Sequence, residues 1–259
     1  MHRKLYILLF SYLFFLAPSV HSLEIKLDGV FDEEEWSEAR EWTKYYESLP
    51  FTLNEPKHIQ KVLILEDEKG MYFGFINKQS RNSVRANRHE RDDEMAIADK
   101  CGLAIDFDGD GSTAYGFTIS AGGSISDGIY RNENTVNYDW DADWGSATSI
   151  NDEGWNAEIF IPWSIAPMKS QKGEKRKVKL SFWRMVSEEF RVNTSIKGNP
   201  RQEKFMSLFH EMDFNNYDVS KVDYFPYINV TEDRILGEVK TKAGAEIFWK
   251  IDSGKQLNI

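Results

Sequence analysis

Three segments carry side chains whose types and spacing suit chemistry. The first, Asp106-Phe107-Asp108-Gly109-Asp110-Gly111, sets three carboxylates at alternate positions and ends on glycine. Calcium takes several oxygen ligands, and glycine permits the sharp bend such a loop needs, so Asp106, Asp108 and Asp110 are candidate metal ligands. The twelfth position counted from Asp106 is Phe117, where a helix–loop–helix calcium site would place a bidentate Glu, and the flanks read as strands. The same residues equally suit an acidic hairpin turn, where Asp-Gly is favoured for backbone reasons alone. The second segment is Arg91-Asp92-Asp93-Glu94 with Asp99 nearby, which suits the same cation, sugar hydroxyls, or a solvated charged loop. The third runs Asn137-Tyr138-Asp139-Trp140-Asp141-Ala142-Asp143-Trp144, two indoles interleaved with three carboxylates. Sugar rings present C–H faces that stack on aromatic rings, while their hydroxyls seek Asp, Asn and Arg. Trp140, Trp144, Asp141 and the upstream Tyr130 are therefore candidate sugar contacts. The competing reading buries one or both indoles and leaves the acids outside.

Catalytic patterns are missing from the sequence. The five histidines (His2, His21, His58, His89 and His210) form no pair four apart and no zinc motif. There is no Gly-x-Ser-x-Gly, no phosphate loop and no Cys/His arrangement of known spacing. Paired acids for glycoside hydrolysis are a matter of spatial separation, which a sequence with 42 acidic residues does not reveal. The expectation is a binding protein and not an enzyme.

The elements that position these groups read as strands. Gln60–Glu66 and Gly70–Asn77 flank Asp67-Glu68-Lys69 as one hairpin, and Cys101–Asp106 and Ala114–Ser120 flank the Gly/Asp turn as another. Ile125–Arg131, Trp155–Ile161 and Val178–Arg184 add further strands. This spacing predicts an all-β chain, an immunoglobulin-like or jelly-roll-type sandwich. One short helix is predicted over Asp32–Arg40, with acids in its first turn. A boundary falls near residues 213–225, so the sandwich is expected over 23–212 and an extension over 213–259.

Met1–Lys4 is basic, Leu5–Ala17 is apolar, and Val20-His21-Ser22 suits a signal peptidase. Residues 1–22 thus read as a secretion signal. The apolar run is shorter than the ~20 residues a membrane-spanning helix needs. The alternative is an uncleaved anchor. The formal charge is −10, which disfavours nucleic acid as a partner. Cys101 is the single cysteine, so no internal disulfide forms and stability rests on the core or on bound metal.

The order of motifs resembles family 9 carbohydrate-binding modules. Leu27-Asp28-Gly29-Val30-Phe31-Asp32-Glu33 with Trp36 resembles the opening of that family, and Gly70–Phe75 looks like its Leu-Tyr-Val-Gly strand. Arg91-Asp92-Asp93, Ala104–Phe107, Ala114–Phe117, Gly122-Gly123, Asp127-Gly128, Trp140-Asp141, Trp144, Gly154-Trp155, Ala157-Glu158 and Ile161-Pro162-Trp163 follow in its order. The likeness is to exported bacterial proteins in which such a module precedes an outer-membrane β-barrel; Phe225–Tyr227 through Phe248–Lys250 looks like the start of that region. The Leu-Arg pair those relatives carry after Ile-Pro is replaced by Ile165-Ala166-Pro167-Met168. The resemblance implies a sandwich with structural calcium and sugar ends clamped between two indoles, serving polysaccharide recognition or catabolism in the periplasm, at the cell surface or at the outer membrane. Its alternatives are a structural periplasmic domain of an outer-membrane barrel system without sugar binding, and a haem-binding relative of the same fold.

Overall fold

The computed structural model describes residues 23–93, 95–198, 202–217, 221–233, 238–252 and 255–258. Residues 1–22, on which the secretion-signal expectation rests, and Glu94 lie outside the described residues. Five strands form the smaller antiparallel sheet: β1 (Arg40–Trp42), β3 (Gln60–Glu66), β4 (Gly70–Lys78), β9 (Gly145–Asn151) and β10 (Gly154–Pro162), in the order β1-β3-β4-β10-β9. The larger sheet contains β2 (Tyr46–Leu49), β5 (Lys100–Asp106), β6 (Thr113–Ser120), β7 (Ile125–Arg131), β8 (Thr135–Asn137), β11 (Lys175–Val186) and β12 (Arg191–Thr194). Their order is β2-β12-β11-β5-β6-β7-β8, and β13 (His210–Asn215) also pairs with β11. Both predicted hairpins are present, Gln60 pairing with Asn77 in one and Cys101 with Ile119 in the other.

Alternation along the strands explains why two sheets pack face to face. Val62, Ile64, Phe73, Phe75, Trp155, Ala157, Ile159 and Ile161 of the smaller sheet meet Leu103, Ile105, Phe117, Val178, Leu180 and Phe182 of the larger one, all with 1% exposure or less. The intervening residues of the smaller sheet, Leu63, Tyr72 and Phe160, face outward and are covered by the N-terminal segment through Ile25, Phe31 and Trp36. There the predicted helix is a single 3-10 turn, Glu34–Glu38, and β1 begins at Arg40. Its only buried residue, Trp36, is fixed edge-on to Phe31 at 5.2 Å. One anchoring side chain needs no longer helix.

The outer edge of β11 is divided. β12 pairs with Trp183–Val186, and β13 with Lys175–Leu180. Ser195 bridges the gap: its N–H donates to Phe182 O at 2.8 Å, and its hydroxyl accepts the Phe182 N–H at 2.9 Å. Between these anchors, the described residues 196–198 and 202–209 lay Ile196, Phe205, Met206 and Phe209 on Ala104 and Ala114 of the outer face. β13 spans position 212, where the sequence places the end of the sandwich. Beyond it, β14 (Lys221–Asp233), β15 (Glu238–Asp252) and β16 (Lys255–Asn258) form a separate three-stranded sheet.

Candidate functional site

The outer face of the larger sheet carries a trench. Ser181 of β11, Ala104 of β5, Gly116 of β6 and Gly128 of β7 are paired in register, so four small residues lie in one row across four strands. One flanking row is Trp183, Gly102, Thr118 and Ser126; the other includes Ala114, Tyr130 and Val136. Larger side chains on both sides of a row of small ones leave a channel. The Tyr130 ring leans over Gly116 so closely that a Cβ there would lie 2.8 Å from it. The resulting cavity, about 240 Å³, is walled by Trp183, Tyr130, Val136, Val192 and Phe205, with Ser181, Thr194 and Asn134 supplying polar atoms. A smaller compartment of about 40 Å³ adjoins it, lined by Thr118, Ser126 and Tyr138.

Among the described residues, no Lys, Arg or Glu lines either compartment. Asp127 contributes to the smaller one, and its carboxylate is engaged by Arg91, Ala142 and Trp144. The trench therefore offers aromatic and aliphatic faces with hydroxyl and amide groups and almost no formal charge. Such a surface suits an amphipathic neutral ring.

Tyr130, one of the residues singled out in the sequence, lines this trench. Trp144 is 8% exposed, packs edge-on against Phe117 at 5.5 Å, and donates its indole N–H to Asp127 Oδ2 at 2.8 Å. Trp140 is half-buried against Tyr115 and Phe117, and with Asp141 it borders a shallow depression away from the trench. The structure thus does not bring Trp140, Trp144 and Asp141 to Tyr130. Sequence reasoning missed Trp183. The signal was present: in Val178–Arg184, Val178, Leu180 and Phe182 alternate inward, which puts Trp183 on the otherwise polar outer face.

The Asp106 loop is a hairpin turn in its bonding. Asp106 is fully buried; Oδ1 accepts the N–H groups of Asp108 and Gly109, and Oδ2 that of Gly111. Burial pushes its pKa up, and these backbone donors oppose the shift. Asp108 accepts the Lys169 N–H at 2.7 Å. Asp110 pairs with Lys169 Nζ, a hydrogen bond that pulls its pKa down to about 2. These three carboxylates are used separately and do not converge.

Among the described residues, the one grouping of three carboxylates is Asp92, Asp127 and Asp141, with an oxygen from each within 4.8 Å of the others. It is a candidate ion-binding cluster. Arg91 lies among them, its Nη2 2.7 Å from Asp127 Oδ2, its Nε 2.8 Å from Asp141 and 3.6 Å from Asp92. Burial opposes the charge on Arg91, and the three carboxylates outweigh it, so its pKa lies above the ordinary value. With the guanidinium in place, this donor set does not fit the calcium that the resemblance implies.

No protein-family model matches the chain, and no curated protein matches it significantly. Solved structures do resemble it, and what they share with it is a β-sandwich fold. A candidate carbohydrate-binding protein from Bacteroides uniformis superposes with a TM-score of 0.53 at 12% identity, covering 70% of this chain and 88% of that one. A family 9 carbohydrate-binding module from Caldicellulosiruptor kristjanssonii, in complex with cellotriose, gives a TM-score of 0.48 at 14% identity over 72% of this chain and 87% of that one. The same module with glucose gives 0.48 at 14% over 74% and 92%. At these identities the likeness is one of fold.

Proposed function

We propose that this protein binds neutral carbohydrate, without catalysis, in the trench on the outer face of the larger sheet. The observation that carries the reading is Trp183 and Tyr130 set on either side of a row of small residues, with the Ser181 hydroxyl at the floor and no basic side chain among the described lining residues. Aromatic rings stack on sugar C–H faces, and Ser181, Thr194, Thr118 and Ser126 meet hydroxyls. The fold shared with the Bacteroides uniformis protein supports the reading. Among the described lining residues Asp127 is the one acid, and it is engaged by Arg91, Ala142 and Trp144.

Calorimetric titration with neutral oligosaccharides chosen from a glycan array tests it. Trp183→Ala is expected to lower affinity at least ~10-fold, the scale of one lost aromatic contact, with melting temperature little changed. Gly116→Ala pushes its methyl into the Tyr130 ring and is expected to weaken the same binding several-fold. Saturable binding that survives Trp183→Ala moves the site elsewhere; no glycan bound by the folded protein ends the proposal.

Export belongs to the same proposal, with residues 1–22 removed. Mass spectrometry of protein recovered from the periplasm or medium checks it, the expected first residue being Leu23. A second reading, a structural domain of an outer-membrane assembly, draws on the β14–β15 hairpin, where Ile228 and Val230 are 75% and 61% exposed. A folded protein that binds no glycan but remains with outer-membrane fractions would favour it.

A further inference from the structure

We infer that Arg91 is the resident cation of the Asp92–Asp127–Asp141 cluster, and that these acids become a divalent-cation site only when its guanidinium is removed. The argument starts from which charges are buried. The Asp127 side chain is fully buried, whereas that of Asp92 is 22% and that of Asp141 72% exposed. A buried carboxylate needs compensation; an exposed one is stabilised by water. Asp127 Oδ2 receives Arg91 Nη2 at 2.7 Å, Ala142 N–H at 3.0 Å and Trp144 Nε1–H at 2.8 Å. Asp92 Oδ1 accepts the Asp127 N–H at 3.0 Å. One buried negative charge thus meets one positive charge, and the buried layer holds no surplus to attract a second cation.

The same geometry shows what lies beneath the guanidinium. The three carboxylates are already spaced to share an ion. Asp127 Oδ1 is buried and accepts no hydrogen bond, which leaves it spare as a ligand. Arg91 Nη2 also donates to the Ala142 carbonyl at 3.1 Å. Calcium takes 6–8 oxygens at about 2.3–2.6 Å. Three carboxylates and that carbonyl supply most of such a set once Arg91 is gone. Arg91 is 35% exposed, so the position it vacates opens to solvent.

The test compares thermal melts in EDTA and in millimolar CaCl₂, with calorimetric titration of CaCl₂ into the apo protein. The wild-type melting temperature is expected to be the same in both, with no binding heat. Arg91→Gln is expected to melt lower in EDTA and to regain about 4 °C or more with calcium, saturably. Calcium stabilisation or EDTA sensitivity of the wild type would overturn the inference. So would a folded Arg91→Gln protein indifferent to calcium. If Arg91→Gln is unfolded in EDTA, refolding on calcium addition supports the inference and failure to refold counts against it; the wild-type comparison decides in its own right.

Discussion

Glu158→Gln is expected to flatten the pH dependence of stability between pH 4.5 and 8 and to leave the variant more stable than wild type at pH 8. Glu158 sits on β10, where Trp155, Ala157, Ile159 and Ile161 turn to the core and Glu158 turns to the outer face of the smaller sheet. The N-terminal segment covers it completely, and Oε2 accepts the N–H groups of Asp28 at 2.8 Å and Gly29 at 2.7 Å. Oε1 is buried and unpaired. Burial raises the pKa to about 7; the two backbone donors oppose this, and the charges of Glu33 and Asp28 add to it. A carboxyl whose pKa is higher folded than unfolded holds its proton more tightly in the folded state. Its contribution is complete below the unfolded value near 4.5 and is lost as pH rises through about 7. The loss is roughly 3 kcal/mol, since one pKa unit is worth about 1.4 kcal/mol. Gln keeps an oxygen for both N–H groups and cannot ionise. Urea titrations from pH 5 to pH 8 check this as the difference between wild type and variant, which cancels the histidines. A parallel pair of curves would show that Glu158 does not titrate in this window.

The second large effect is expected from Asp127→Ala, a stability loss of about 3–5 kcal/mol. The substitution leaves the Trp144 indole N–H and the Ala142 N–H without their acceptor and strips Arg91 of its buried partner. It also unties the 138–144 loop from β7 and from the 85–99 loop, because Arg91, Asp92, Asp127 and Trp144 join all three. Chemical denaturation measures the loss, and a red shift in tryptophan emission is expected as Trp144 gains access to water. A loss below about 1 kcal/mol would mean that packing against Phe117 alone holds this loop.

Much of the fold is visible in the sequence because strand alternation is local. Gln60–Asn77 and Cys101–Ser120 announce hairpins through their turns and their two-residue period. The candidate site is less visible, for two physical reasons. First, Trp183 differs from a core tryptophan only by parity within its strand, so it is found by asking which residues of Val178–Arg184 face outward. Second, the trench floor is assembled from Ser181, Ala104, Gly116 and Gly128, one residue from each of four strands, and nothing local marks them as neighbours. The Asp106 loop shows the opposite difficulty. Asp-x-Asp-Gly-Asp-Gly can serve a metal or close a turn, and only the direction of the Asp106 oxygens, toward backbone N–H groups, distinguishes them. Arg91, Asp92, Asp127, Asp141 and Trp144 stand out singly in the sequence. That they meet at one place depends on β7 lying between two loops.

The divided edge of β11 bears on how this architecture can be varied. Phe205, which walls the trench, falls between Ser195 and His210, and these two residues touch, His210 Nε2 lying 2.9 Å from Ser195 O. A segment whose ends meet can be exchanged for one of different length or composition while the strands on either side keep their register. The composition of the recess is thereby separable from foldability: Phe205 belongs to a replaceable cassette, whereas Trp183, Tyr130 and the floor belong to the sheet.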